Sequence, residues 1–318
     1  AGYAIYCCFE VPEKRDVHIV KGVFSAEGPL SYESLTHAIP AAAWYEREIH
    51  DMFGLVPEGH PDLRPLVLHE SFPEDFHPLR KSVAVNAKVR GERKFKIRTA
   101  KGQGLFQVPV GPIHAGIIEP GHFRFSQAGE AMLQLDAKLF FTHRGIEKAV
   151  EGKTPEEALH IVERICGACS VANTWSFCQA VEKAAGVAVP RRAEIIRTLL
   201  SELERITNHV GDLGNMPAGV GFNPAISLGS RLKEQLMRLC EAVAGNRFLR
   251  GVIVPGGVRQ DITPELIEHI HEVMDATAQG VEDLAAMFRE QENFQNRVRT
   301  TGIIRNQTAK DLAMVGIG

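Results

Sequence analysis

The chain opens with short apolar runs of strand type, Tyr3 to Val11 and Asp16 to Phe24, followed by a motif-dense stretch from Ala43 to Leu68. Together these predict a small α+β domain over residues 1–80. Past Gly102 and Gly104 the character changes. Leu105 to Ile118 reads as strands with turns at Gly111-Pro112 and Pro120-Gly121, and beyond Thr142 the chain becomes mostly helical.

Thr154-Pro155-Glu156-Glu157 has the form of a helix start, with Thr as N-cap, Pro at the first helical position and Glu three residues after the cap. The helix it opens places Ala158, Ile161, Val162 and Ile165 on one face and delivers Cys166 and Cys169 at its end. From Pro190 to Leu213 the residues Ile195, Leu199, Leu203, Ile206 and Val210 recur at helical spacing, which predicts a long packed helix. Thr263-Pro264-Glu265 opens another, carrying Leu266, Ile270, Met274 and Leu284. Such stripes read as core. No internal repeat is visible.

Between the two regions, eight basic residues (Arg80, Lys81, Lys88, Arg90, Arg93, Lys94, Lys96 and Arg98) face the single acid Glu92. This run reads as a basic linker, 81–102 in the domain division, with a solvated face; docking to an acidic partner is the second reading.

The 318 residues are 44% hydrophobic, enough for a substantial core. Thirty-six basic against 39 acidic residues leave a formal charge of −3, so no overall field draws the chain to nucleic acid or an anionic membrane. No apolar run approaches the ~18 residues of a membrane span, and no basic-then-apolar signal stands at the start. Six cysteines are too few for a disulfide framework: Cys7 and Cys8 are adjacent, Cys178 and Cys240 stand alone, and a reducing, cytoplasmic setting is expected. With no initiator Met and an end at Ala313-Met314-Val315-Gly316-Ile317-Gly318, the chain reads as a fragment.

Chemistry concentrates at Glu163-Arg164-Ile165-Cys166-Gly167-Ala168-Cys169-Ser170. Two thiols three residues apart can reach one soft metal ion, but the spacing also serves zinc knuckles, iron-sulfur centres and thioredoxin-type dithiols. In the thioredoxin arrangement the dithiol follows a strand and opens a helix, whereas here a well-capped helix precedes it. A structural zinc site would need four ligands, and the sequence shows no second Cys-x-x-Cys or Cys-x-x-His. Half of a four-thiolate site for a redox-active metal stays open as a third reading.

The segment resembles the first metal-binding motif of the nickel-iron hydrogenase large subunit, Arg-x-Cys-Gly-x-Cys. Gly111-Pro112-Ile113-His114, Glu119-Pro120-Gly121-His122-Phe123-Arg124-Phe125 and His143-Arg144-Gly145-Ile146-Glu147-Lys148 are similar to segments of energy-converting (group 4) hydrogenases and of the complex I 49 kDa subunit. Trp44-Tyr45-Glu46-Arg47-Glu48-Ile49-His50-Asp51-Met52-Phe53-Gly54 and Gly59-His60-Pro61-Asp62-Leu63-Arg64 resemble the complex I 30 kDa subunit. That fusion is characteristic of the formate hydrogenlyase and hydrogenase-4 type. The resemblance implies an α+β fold: a 30 kDa-like domain over 1–80, the basic linker, and over 103–318 the N-terminal half of a helix-rich large subunit.

What the resemblance implies for the site is a nickel-iron centre held by Cys166 as a terminal nickel ligand and Cys169 as a bridging thiolate, the other two thiolates coming from a C-terminal Asp-Pro-Cys-x-x-Cys motif that the chain does not reach. Glu119 is the expected proton relay, with His122 and Arg124 orienting it or lining the pocket, and Arg164 the positive charge that favours deprotonated thiols. His143 and Arg144 resemble residues near the family's subunit interface. Asn173 stands where the family motif usually continues to a histidine; it can hydrogen-bond a sulfur but cannot take up a proton. Cys178 reads as packed core. Glu46, Arg47, Glu48 and Asp51, three and four apart, have the spacing of helix-surface ion pairs and suit docking to another subunit.

The implied activity is reversible reduction of protons to hydrogen. Electrons would come from iron-sulfur clusters of a separate small subunit, with further electron-transfer and membrane subunits holding the complex on the cytoplasmic face of the cell membrane, in a system coupled to formate oxidation. A complex I-like, quinone-binding subunit without nickel is the rival, and a metal-free assembly subunit the second; the cysteine pair favours the hydrogenase over both.

Overall fold

The computed structural model describes residues 2–11, 16–25, 27–93, 97–114 and 119–314. Over them the chain is α+β and divides into two compact units, one formed by the described residues up to 114 with 119–143 and 304–314, the other by 144–303.

The first unit begins with strands β1 (Gly2–Val11) and β2 (Asp16–Ser25), an antiparallel ladder in which Gly2 pairs with Ser25 and Val11 with Asp16. One face of this ladder, carrying Tyr6, Ile19 and Val23, is exposed. Strand β3 (Ser31–Glu33), helix α1 (Ala42–Phe53) and strand β4 (Val56–Glu58) follow, with β3 and β4 parallel. Helix α1 stops where Gly54 takes up a left-handed conformation (φ 75°) and returns its N–H to the His50 carbonyl. Strands β5 (Phe106–Val110), β6 (His122–Ala128) and β7 (Ala131–Lys138) form an antiparallel sheet in the order β5-β6-β7.

The charges of α1 depart from the sequence expectation. Glu46 and Asp51 are buried, 3% and 1% exposed, so they form no docking face. Asp51 accepts the amides of Leu66, Val67 and Leu68 on one oxygen and the Arg93 guanidinium on the other. Glu46 accepts from the Ser34 and Thr36 hydroxyls and the Leu35 amide. Burial alone would raise its pKa, yet these donors hold the carboxyl below its ordinary range. A helix face that must anchor irregular backbone does so with carboxylates, because buried amides need acceptors.

The basic run departs from a solvated face at Arg93 by the same geometry, while Lys81, Lys88, Arg90 and Arg98 are exposed as expected. Arg93 is buried against Asp51, Arg98 pairs with Asp62 at 2.9 Å, and the Arg80 Nε donates to the Phe53 carbonyl at 2.7 Å. These three cations are turned onto the motif upstream of them, so the stretch is tied down. Lys94 and Lys96 lie outside the described residues, as do 115–118 of the expected strand region.

The second unit is helical: α2 (Ile146–Ala149), α3 (Pro155–Val162), α4 (Ser170–Ala185), α5 (Arg191–Asn215), a 3-10 turn at Met216–Val220, α6 (Asn223–Ala244), a small hairpin of β8 (Ile253–Val254) and β9 (Gly257–Val258), α7 (Pro264–Glu290) and α8 (Glu292–Val298). Helix α9 (Asn306–Asp311) belongs to the first unit. The capping box read at Thr154 and Glu157 is present. On α5 the buried stripe is Ile196, Leu200, Leu203 and Val210: Leu203 and Val210 are as expected, whereas Ile196 and Leu200 take the places expected of Ile195, which is 52% exposed, and of the half-buried Leu199. The apolar arc of α5 is wide enough to allow either register. Arg197 decides it: the side chain is buried, forms two hydrogen bonds to Glu182 of α4 and donates to the Val254 and Gly257 carbonyls. Where α5 crosses α6, Gly214 and Gly229 meet backbone to backbone, and a Cβ on Gly214 would stand 2.8 Å from the Gly229 Cα.

Candidate metal centre

The two cysteines lie in the bend between α3 and α4. Cys166 sits within it, and Cys169 is the N-cap residue of α4 (φ −124°, ψ 43°). The pair therefore opens a helix as well as following one, so the preceding helix by itself does not separate this site from a thioredoxin-type dithiol. Both thiols are partly exposed and neither is in a disulfide. The amide of Ala168 donates to the Cys166 Sγ at 3.4 Å. The Cys169 side chain does not cap α4.

Each part of the bend is held from elsewhere in the unit. The Arg144 Nη2 donates to the carbonyls of Arg164 and Ile165, both at 2.7 Å. Glu163, 2% exposed, accepts the Gly251 amide at 2.6 Å. Arg250 donates to the Ser170 hydroxyl at 3.1 Å. From α5, the Asn208 side chain donates to the Ala168 carbonyl at 2.7 Å, and Glu204 accepts the amides of Val171 at 2.6 Å and Ala172 at 3.1 Å. Burial pushes the Glu204 carboxyl above its ordinary range, outweighing the pull of these amides. A cleft of about 170 Å³ opens beside the bend, lined by Gly167, Ala168, Glu204, Asn208, Lys233 and Phe248 among others.

Other expected site residues have different surroundings. The Arg164 guanidinium reaches back to the His160 carbonyl at 2.6 Å and to Glu163 at 3.3 Å. Its charge is shared with a carboxylate as well as lying near Cys166 in the chain. Asn173 donates its side-chain amide to the backbone carbonyl of Cys169 at 2.7 Å. Glu119 and His122 belong to the first unit. Glu119 is exposed. On strand β6, the His122 Nδ1 lies 3.3 Å from the Gly111 carbonyl, and its buried Nε2 has no hydrogen-bond partner among the described residues. Cys178 is fully buried, as read from sequence, and burial raises its pKa to about 11.

Two soft donors in one bend, with backbone fixed on both sides, fit part of a thiolate metal site. Among the described residues no group of three or more His, Cys, Asp and Glu side chains is placed to hold a metal ion.

Three family models match the chain in succession: the respiratory-chain NADH dehydrogenase 30 Kd subunit over residues 3–89, the nickel-dependent hydrogenase over 144–212, and the respiratory-chain NADH dehydrogenase 49 Kd subunit over 220–318. The chain belongs to the fused complex I 30 kDa and nickel-iron hydrogenase large-subunit family. It is 35% identical to hydrogenase-4 component G of Escherichia coli (strain K12) over 98% of its own length and 57% of that protein. Formate hydrogenlyase subunit 5 of the same organism is 32% identical, over 99% of this chain and 56% of the relative. The membrane-bound hydrogenase subunit alpha of Pyrococcus furiosus (strain ATCC 43587 / DSM 3638 / JCM 8422 / Vc1) is 31% identical, over 66% and 49%. The chain spans about half the length of the curated relatives it matches. Among the described residues no helix is long and apolar enough to cross a membrane.

Sequence reasoning missed the groups that hold this family's cysteine bend in place here, Glu163, Glu204, Asn208 and Arg250. Glu204 and Asn208 lie four apart on one helix, a visible spacing, but nothing in the sequence says which distant backbone they meet. The Glu163 and Arg250 contacts span 88 and 80 positions.

Proposed function

We propose that the chain supplies the first half of the catalytic large subunit of a membrane-associated nickel-iron hydrogenase, which reversibly reduces protons to hydrogen. Residues 1–80 form its 30 kDa-like module, 81–102 the linker and 103–318 the large-subunit module. The observation that carries this reading is the Arg164-x-Cys166-Gly167-x-Cys169 bend, which falls inside the segment matched by the nickel-dependent hydrogenase family.

In this reading Cys166 and Cys169 hold one side of a nickel-iron centre. A bound centre would supply the redox chemistry by which protons and electrons combine. The chain's own part is to fix two thiols on a braced bend and to bring protons. Glu119, exposed to water, suits the outer end of a proton relay, and His122 offers its second ring nitrogen near that segment. Arg164 adds positive charge at the bend while anchored to His160 and Glu163. Electrons arrive from an iron-sulfur small subunit. Further electron-transfer and membrane subunits hold the complex on the cytoplasmic face, with formate oxidation as the electron source. The names of the relatives as subunits and components of larger enzymes support an assembly of this kind.

The test is metal analysis of the complete protein that contains this chain, with hydrogen evolution from a reduced dye. Bound nickel lost in both Cys166→Ser and Cys169→Ser, with evolution lost alongside, is the expected result. A nickel-free protein that passes electrons to quinone would move the chain to the complex I-like reading.

A further inference from the structure

We infer that Glu204 is a positioning residue for the cysteine pair: its carboxylate, reaching from α5, caps the helix that Cys169 opens. The inference rests on the reading of Cys166 and Cys169 as metal-holding thiols and goes beyond it by naming what sets their geometry.

A helix start leaves amides without partners, and an N-cap side chain ordinarily satisfies one or two of them. Cys169 occupies the N-cap position of α4 and provides no such bond. Instead Glu204 takes Val171 on one carboxylate oxygen and Ala172 on the other, with the Ser170 amide also turned to it. A negative group at this end of α4 is favoured by the helix dipole as well. The cap thus comes from another helix, and the residue that begins α4 keeps its thiol out of the capping arrangement. One helical turn further along α5, Asn208 holds the Ala168 carbonyl, the residue between the two cysteines' ends of the bend. The two side chains grip the backbone immediately before and after Cys169 from a single rigid helix.

The other ties of the bend do not duplicate this. Arg144 holds Arg164 and Ile165, before Cys166, and Arg250 holds the Ser170 hydroxyl but none of the amides. Removing Glu204 therefore frees the start of α4 while leaving the entry to the bend tied.

The experiment compares the complete protein, metal-free and in thiol-reduced form, with Glu204→Ala, Glu204→Gln and Asn208→Ala. Amide hydrogen exchange at Val171 and Ala172 and the ratio of Cys169 to Cys166 alkylation by iodoacetamide are read in each, located by peptide mass. In Glu204→Ala, exchange at the two amides rises on the order of tenfold, the effect of losing a cap, and the alkylation ratio changes with it. Glu204→Gln, which keeps an acceptor oxygen, returns both part of the way. Faster exchange with an unchanged ratio would mean that Glu204 serves only the helix, and no change in either would remove the cap altogether; each overturns the inference. If Glu204→Ala does not fold, as judged by exchange at the buried Thr277 of α7, the Gln variant carries the test through the same ratio. Neither readout requires metal, so failure of the nickel reading is detected separately, by the metal content of the unmodified protein.

Discussion

Asp51 and Arg93, 42 positions apart, form a buried ion pair at 3.1 Å in which the carboxylate also collects three consecutive backbone amides. The pair joins helix α1 to a stretch with no regular structure. Removing one partner strands the other charge in the interior. Asp51→Ala is therefore expected to cost the first unit about 3–5 kcal/mol, measured by urea unfolding. A loss below about 1 kcal/mol, the scale of an exposed pair, would show that the network is not what holds this region.

Acid sensitivity follows from Asp62. Its hydrogen bonds to Arg64 depress its pKa from 3.8 to about 2. A carboxyl whose folded pKa is lowered contributes stability that is complete above its unfolded pKa and lost as pH falls through the folded one. The loss should fall between about pH 4 and pH 2 and amount to ~2 kcal/mol. Unfolding of the first unit, followed by urea melts from pH 5 downward, should lose part of this slope in Asp62→Asn; identical slopes would refute the assignment.

Packing of the second unit makes a sharper distinction between two glycines. At Gly229 a methyl group would enter the Gly214 backbone, whereas at Gly219 a Cβ meets nothing within 4 Å. Gly229→Ala should force α5 and α6 apart at a cost of roughly 1–3 kcal/mol, while Gly219→Ala should stay within about 0.5 kcal/mol of the unaltered chain. Thermal melts of the two variants decide the matter, and equal melting temperatures would be the contrary result.

The cysteines should separate into two classes. Cys7, Cys8, Cys166 and Cys169 have exposed surface; Cys178 and Cys240 are buried, with both thiols pushed up in pKa by that burial. Iodoacetamide at pH 8 should label the first four in the folded protein and the last two only after denaturant is added. Native-state labelling of Cys178 at a comparable rate would contradict its place in the core.

Much of the second unit was legible because its helices announce themselves. Thr154 and Thr263 both cap as their sequences indicate, and Pro190 and Gly186 bracket the start of α5 and the end of α4. The site was legible as a motif but not as a mechanical object. Its two thiols are four residues from end to end, whereas the groups that hold them come from α5 and from the segment after α6, at separations over which loop closure leaves no local trace. Charge was the weakest guide. The spacing of Glu46 and Asp51 suits a helix surface and Arg93 sits in a run that suits a linker, yet these three groups are buried, Asp51 and Arg93 against each other and Glu46 against hydroxyls and an amide that need an acceptor. Alternation and capping are local properties; complementarity between distant charges is not.

Cys169 begins α4, while Cys166 belongs to the bend that follows α3. The two sulfurs are thus carried by different bodies, one by the end of a rod and the other by the joint beside it. Their separation is set by how the start of α4 is held against the bend. A change that shifts the first turn of α4, where Glu204 holds the amides of Val171 and Ala172, therefore bears on the distance between the sulfurs without touching either cysteine.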